Sequence, residues 1–240
     1  MENGKVYPVS ETFVSPQGEG VYCGAVMAFV RLAGCTVGKP FPKERYVERY
    51  STDSSERPLH LPIYTEQCSL YDGRRFACDT DYRVKQRMTA EEIVNEIPKD
   101  VKRVCITGGE PMMHDLSTLL SYLWSKFKKV HIETSGTIVP EWAFKQDVWI
   151  TVSPKLCVKD EMLNRANELK ILVDKDFVPD EKLLAISKSK PTYLQPINNE
   201  NTIRGENVRL CMEWQKKYPA FRVSLQLHKV LSLYTEELVR

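Results

Sequence analysis

The sequence predicts an α/β fold: an incomplete or modified (β/α) TIM-like barrel with a mostly parallel sheet. Three observations carry this expectation. Apolar runs of strand length alternate with helical patterns from Val26 to near the C-terminus. Polar or glycine-rich motifs follow those runs one after another. The 240 residues are enough for one domain with a sizeable core, and an α/β barrel of that length is ordinary. Strands separated by helices pair in parallel through crossovers, so their C-terminal ends open on one face.

The elements follow in order. Val26 to Leu32 is an apolar run. Thr36 to Gln67 carries many charges and four prolines without periodicity, so residues 36–67 read as an insertion within a single domain spanning 1–240. Thr89 and Glu92 form a capping box, and Ile93, Val94 and Ile97 then fall on one helical face. Arg103 to Ile106 is a strand ended by Thr107-Gly108-Gly109-Glu110-Pro111, and Asp115 caps a helix running to about Phe127. Val130 to Ile132 is ended by Glu133-Thr134-Ser135-Gly136, and Val148 to Val152 by Ser153-Pro154-Lys155. Leu169 to Val173 is a further strand, and Thr192 to Leu194 leads into Gln195-Pro196. Asn201 to Lys217 reads as a helix and Phe221 to Leu225 as a last strand before Gln226-Leu227-His228-Lys229. On this reading Thr107, Thr134, Ser153, Gln195 and Gln226 meet in one cleft.

Composition narrows the function. The 34 basic and 32 acidic residues leave a formal charge of +2, scattered along the chain. That gives no electrostatic footprint for nucleic acid or an anionic membrane. No stretch approaches the ~18 apolar residues of a membrane span. The opening Met-Glu-Asn-Gly-Lys lacks the apolar core of a signal peptide, so a cytoplasmic location is expected. In that compartment seven cysteines suggest metal ligands or buried thiols rather than disulfides.

Cys35, Cys68 and Cys78 read as three thiolate ligands of one iron–sulfur cluster. A [4Fe–4S] cluster is normally held by four thiolates. Three leave one iron open to a small ligand. Cys35 follows Ala-Gly at the end of an apolar strand, and Cys78 precedes Asp-Thr-Asp. Cys105 lies inside a strand and Cys211 inside a helix, where a thiol packs as a small hydrophobe. Cys157 is undecided, and Cys23, before the first strand, is the rival for the middle ligand. Zinc usually takes CxxC pairs, and none occurs here. Thr107 to Pro111 bares backbone groups and suits an amino-acid-like ligand, with Glu110 facing its ammonium group.

Taken together, the motifs resemble the 7-carboxy-7-deazaguanine synthase family of the radical S-adenosylmethionine superfamily. The matching pieces are Ser15-Pro16-Gln17-Gly18-Glu19-Gly20, Phe29 to Cys35, Cys78-Asp79-Thr80, Thr107 to Pro111, Glu133 to Gly136, Ser153 to Lys155, Leu194-Gln195-Pro196 and Gln226 to Lys229. They stand in the family's order and span most of the chain. The resemblance implies that a cluster-bound S-adenosylmethionine is cleaved to a 5′-deoxyadenosyl radical. That radical starts the ring contraction of 6-carboxy-5,6,7,8-tetrahydropterin to 7-carboxy-7-deazaguanine, with loss of ammonia, in queuosine or archaeosine biosynthesis.

By position, the resemblance implies that Gly108, Gly109, Glu110, Thr134, Ser153, Pro154, Lys155, Gln195, Pro196, Ile197 and Asn198 hold S-adenosylmethionine. Pro16, Gln17, Gly18, Arg31, Thr107 and Gln226 would hold the pterin, with Arg31 forking onto its carboxylate. Thr80 would be a magnesium ligand. A flavodoxin or ferredoxin as electron donor and a homodimer are also implied. The chain departs from the superfamily's CxxxCxxC spacing: nine residues separate Cys68 from Cys78, and Ala77 stands where relatives often carry Trp. Two other readings remain: a glycyl-radical activase or another radical enzyme sharing Thr107 to Pro111, and a zinc-stabilised binding module.

Overall fold

The computed structural model describes residues 4–38, 65–78, 80, 83–145, 147–198 and 203–231. The strands are β1 (Val6–Pro16), β2 (Val26–Leu32), β3 (Thr65–Ser69), β4 (Arg75–Cys78), β5 (Gln86–Thr89), β6 (Arg103–Gly108), β7 (Lys129–Thr134), β8 (Trp149–Val152), β9 (Glu168–Val173), β10 (Thr192–Pro196) and β11 (Phe221–Val223). Among them lie helices α1 (Ala90–Glu96), α2 (Ser117–Ser125), α3 (Trp142–Lys145), α4 (Asp160–Arg165), α5 (Glu181–Ser187), α6 (Gly205–Lys217) and α7 (Leu227–Leu231).

Nine strands form one sheet in the order β11-β10-β9-β8-β7-β6-β2-β1-β5. From β2 through β6 to β11 every pairing is parallel. β1 pairs antiparallel with both β2 and β5 at the other end. Among the described residues β5 and β11 do not pair, so the sheet is an open, incomplete barrel as the strand alternation predicts. The parallel strands therefore all deliver their C-terminal ends to the same edge.

Period-2 alternation gives the sheet two different faces. Val30, Val104, Ile132, Ile150, Ile171 and Leu194 point one way and join a single apolar cluster with residues from α1 to α6. Each such side chain contributes about 1.5–3 kcal/mol on burial. The opposite face carries Arg31, Thr107, His131, Glu133, Lys170 and Gln195, the residues between them in sequence. Helices on one face only are what a barrel wall needs and a doubly wound sheet lacks. The residues joining β1 to β2 close back across that polar face, with Val21 N–H donating to Glu168 (2.8 Å) and Gly20 N–H to Ser224 (3.2 Å).

The capping box is present: the Thr89 hydroxyl accepts from Glu92 N–H, and the Glu92 carboxylate accepts from Thr89 N–H. Ile93, Val94 and Ile97 are all buried. Asp115 acts one residue earlier than a cap. Its Oδ1 accepts from Ser117 N–H and Oγ, while Leu116 is the N-cap and has no side-chain bond. The helix ends at Ser125, short of the expected Phe127. There Phe127 takes φ +56°, with Phe127 N–H bonded to Trp124 O and Lys128 N–H to Leu123 O, a Schellman stop with a bulky residue at its left-handed position. β10 runs two residues further than expected, to Pro196, and β11 stops two residues sooner, at Val223. α6 begins at Gly205, and the start expected at Asn201 lies outside the described residues. Of the insertion, 39–64 likewise lies outside them, while Thr65 to Gln67 belongs to β3.

Beneath the covering residues, His131 meets Tyr22 edge-on at 4.4 Å and lies 3.1 Å from an Arg103 guanidinium nitrogen. Burial and the neighbouring Arg103 push its pKa from 6.5 down to about 4. The unfolded chain takes that proton near pH 6.5; the folded chain resists until about 4. The contribution is thus fully present above about 6.5 and is lost as pH falls towards 4. At about 1.4 kcal/mol per unit it amounts to at most about 3.5 kcal/mol. Urea unfolding of wild type and His131→Asn across this window should show the wild type losing more stability on acidification than the variant.

Candidate active site

The site is built at the C-terminal strand ends, beginning where β6 meets β2. Gly109 N–H donates to Leu32 O (3.3 Å) and Glu110 N–H to Gly34 O (2.8 Å). A Cβ on Gly108 would collide with the Leu32 carbonyl, and one on Gly109 with the Gly34 carbonyl. The glycine pair is therefore required here by backbone packing, whatever else it meets. It presses the end of β6 against the segment that presents Cys35.

Glu110 is fully buried. Its carboxylate accepts from Met112 N–H (3.0 Å), Thr134 Oγ1 (2.7 Å), Ser135 N–H (2.8 Å) and Ser135 Oγ. Four donors match the roughly four lone-pair sites of a carboxylate. The side chain expected to face an ammonium group is thus committed to holding the end of β7. Thr134 is committed with it, since its hydroxyl also accepts from Gly136 N–H at 3.0 Å. Ser153 N–H then donates to Thr134 O and Lys155 N–H to Ser135 O, which carries the arrangement on to the end of β8. Pro154 is buried, and Lys155 Nζ donates back to Ser153 O and Oγ.

The three candidate cluster cysteines reach the same place from two elements. Cys35 follows the end of β2, and Gly38 N–H donates to its sulfur at 3.3 Å. Cys68 and Cys78 lie on β3 and β4, which form a separate antiparallel hairpin. That hairpin docks on the end of β8: Leu70 bridges to Lys155, Leu156 N–H donates to Ser69 O (3.0 Å), and Lys155 Nζ sits 5.6 Å above the Phe76 ring. Arg74 clamps it to the end of β9 through Asp174 (2.6 Å) and the Leu172 carbonyl (2.7 Å), with its guanidinium 5.0 Å over Phe177. Asx-turn contacts from Asp72 hold Arg74 in place.

The electrostatics report the same convergence. Burial pushes the Cys68 thiol up to about 12, against the pull of Lys155 and with Cys78 and Cys35 adding to the rise. Burial lowers the Lys155 pKa, and Cys68, Cys78 and Cys35 each oppose that. Among the described residues no three His, Cys, Asp or Glu side chains close on a single-ion site. Cys23 is exposed, and its thiol responds to Glu19 rather than to these cysteines. Cys105 and Cys211 are fully buried and Cys157 is exposed.

On the polar face three of the five expected cleft residues, Thr107, Gln195 and Gln226, join one set of contacts around Glu19 and Glu133, while Thr134 is held by Glu110 and Ser153 by Lys155. Gln17 Nε2 donates to Glu133 (3.1 Å), and Thr107 Oγ1 lies 3.4 Å from the same carboxylate. Gln195 Nε2 donates to Glu19 (2.9 Å) and Asn198 Nδ2 to Gln226 (3.1 Å). Leu227 N–H donates to Gly18 O, and Pro16 pairs with Val26 at the end of β1. Ile197 N–H donates to Val173 O, and Pro196 pairs with Val173. Arg31 pairs with Glu11 (3.2 Å) beside Phe13, and its buried Nε has no partner. Thr80 is half-buried, between residues outside the described set. Sequence reasoning passed over Lys170 and Arg74. A lone lysine inside the apolar run Leu169 to Val173 was a visible signal; Arg74, in a turn, carried none.

A curated 7-carboxy-7-deazaguanine synthase from Escherichia coli (strain K12) is 30% identical over 247 residues, covering 95% of this chain and 99% of that protein. The chain belongs to the 7-carboxy-7-deazaguanine synthase family. A synthase of that name from Synechocystis is 32% identical across 95% of this chain and 93% of its own, and one from Aquifex aeolicus is 28% identical across 94% and 93%. The crystal structure of QueE from Escherichia coli superimposes with a TM-score of 0.59 at 28% identity, covering 92% of this chain and 94% of that one. No protein-family model matches. These alignments run almost end to end, across the long segment between Cys35 and Cys68.

The Arg74 clamp should be measurable. Its side chain is 11% exposed and that of Asp174 22%, so losing it leaves a mostly buried carboxylate unpaired. Arg74→Ala is expected to cost about 2–4 kcal/mol in unfolding free energy and to lower iron content after anaerobic reconstitution. Arg74→Lys should recover only part of both, because a point charge cannot span Asp174 and the Leu172 carbonyl together.

Proposed function

We propose that the protein is a radical S-adenosylmethionine enzyme that contracts 6-carboxy-5,6,7,8-tetrahydropterin to 7-carboxy-7-deazaguanine. Substrate and product differ by one ammonia, so the step is redox-neutral overall and a hydrogen taken from the substrate must be returned. The observation that carries the reading is the convergence of Cys35, Cys68 and Cys78 beside Lys155, at the strand ends of a chain aligned almost end to end with this family.

On this reading Cys35, Cys68 and Cys78 hold a [4Fe–4S] cluster. With S-adenosylmethionine bound, the cluster supplies a primary carbon radical; the protein supplies binding, orientation and exclusion of water. Backbone groups at Gly108 and Gly109, the Ser153–Lys155 turn and the Gln195–Asn198 segment receive the cofactor's polar groups. Glu110 and Thr134 support it indirectly, by fixing the end of β7. Pro16 to Gly18, Thr107 and Gln226 receive the pterin. Arg31 takes its carboxylate, which the unpartnered Nε supports. Thr80 would help hold a magnesium ion, which would supply positive charge opposite the substrate carboxylate. A small flavodoxin or ferredoxin reduces the cluster, and the working unit is a homodimer in the cytoplasm. Among the described residues no helix is long and apolar enough to cross a membrane.

Anaerobic reconstitution followed by turnover with the tetrahydropterin is the direct test; release of one ammonia per product is expected. Cys68→Ala should lose the cluster and S-adenosylmethionine cleavage, while Cys23→Ala keeps both. A full cluster and activity in Cys68→Ala, with both lost in Cys23→Ala, would reassign the middle ligand. Turnover should rise with magnesium, and Thr80→Ala should blunt that rise with iron content intact. Equal activity of Thr80→Ala with and without magnesium, at the wild-type level, would remove the metal assignment.

A further inference from the structure

Lys170 lies on β9, on the polar face; its charge reaches Lys155, but its ion pairs are with Glu19 and Glu133. Its side chain is 12% exposed and pairs with Glu19, itself 13% exposed. Its Nζ also stands 3.8 Å from Glu133 Oε2. Glu19 N–H donates to Gln17 Oε1 at 3.2 Å, and Gln17 Nε2 donates to Glu133 Oε1 at 3.1 Å. These contacts close a ring: Lys170, Glu19, Gln17, Glu133 and back to Lys170. The ring joins β7, β9 and the segment after β1, and Lys170 is its one cation. Burial pushes the Glu19 carboxyl up, but the Lys170 charge and hydrogen bond, with His228 and Gln226, together bring it down to about 2.

The segment after β1 has anchors outside this ring. Val21 N–H bonds to Glu168 and Gly20 N–H to Ser224. Gln17 N–H donates to Ala25 O and Gly24 N–H to Gln17 O, both at 2.8 Å. Removing Lys170 therefore leaves the segment attached. What is lost is the placement of Gln17 against Glu133 and Thr107. Without its cation the ring holds two carboxylates with no opposite charge, and such groups reprotonate or move apart.

We infer that Lys170, through Glu19, is a positioning residue for the pterin site: it sets Gln17, Thr107 and Glu133 in the arrangement that receives the tetrahydropterin. This rests on the pterin assignment made above. It predicts a defect much larger in substrate binding than in cofactor binding, which Glu19 touches only through Gln195. Pterin affinity is measured by anaerobic calorimetry in the presence of S-adenosylmethionine, alongside iron content, S-adenosylmethionine affinity and KM against kcat. Lys170→Met is expected to weaken pterin binding about tenfold or more, equivalent to about 1.4 kcal/mol. Iron content and S-adenosylmethionine affinity should stay within about twofold, and Lys170→Arg should recover most of the loss, as its charge still reaches both carboxylates.

Should Lys170→Met fail to fold, Glu19→Gln removes one charge from the ring and keeps its size. It should raise the pterin KM with kcat little changed. Wild-type pterin affinity in either folded variant overturns the inference. So does a loss of iron and S-adenosylmethionine affinity equal to the loss of pterin affinity, which would mark a general folding role. A wild type that binds no pterin overturns the functional reading and this inference together, and that outcome is separate because it appears before any variant is compared.

Discussion

The site depends on one close backbone contact, that of Gly108 and Gly109 against Leu32 and Gly34. Parallel pairing of β2 with β6 brings the two strand ends together, but side chains at either glycine would keep them apart. With that contact made, Glu110 sits directly beside the end of β7 and gathers Thr134 and Ser135 onto its carboxylate. The end of β7 in turn receives the backbone of Ser153 and Lys155. Four successive strand ends are thus locked by backbone geometry and one saturated carboxylate. A loose rim could not hold three thiols and a small cofactor in register.

The β3–β4 hairpin solves a different problem. A short CxxxCxxC loop holds its thiols together through the chain itself. Here 32 residues separate Cys68 from Cys35, and lengthening such a loop costs only about (3/2)RT ln n. Entropy therefore tolerates the separation, but nothing local aims Cys68. The aim comes from tertiary contacts: Leu70 bridging to Lys155 and Arg74 gripping Asp174 and Leu172. The cost of replacing local geometry is dependence on a mostly buried arginine, Arg74, in the turn that joins β3 to β4.

Much of the fold was legible in the chain. The strand from Val26 to Leu32 appears with the bounds expected, and the Thr89–Glu92 capping box is present because its logic is local: donors and acceptors lie within one turn. The antiparallel β1 and β5 were not read. β1 opens with Val-Tyr-Pro-Val-Ser and holds a bulge between Val9 and Glu11, which breaks the period-2 signal. The Phe127 stop was missed for a like reason, since a helix normally takes glycine at that position.

The sequence by itself determined the α/β class, the open parallel barrel and the clustering of polar motifs at one edge, because strand period and motif order are one-dimensional properties. It also determined the family, since the motifs keep their order along the chain. Only the tertiary structure decided how the motifs are used. Glu110 is an internal brace, Lys170 closes a ring of polar contacts, and Cys68 rather than Cys23 lies with Cys35 and Cys78. Each of these depends on which side chain faces which neighbour across a gap of many residues. A carboxylate reads the same in a sequence whether its lone pairs are open or already filled; only the packed partners distinguish the two.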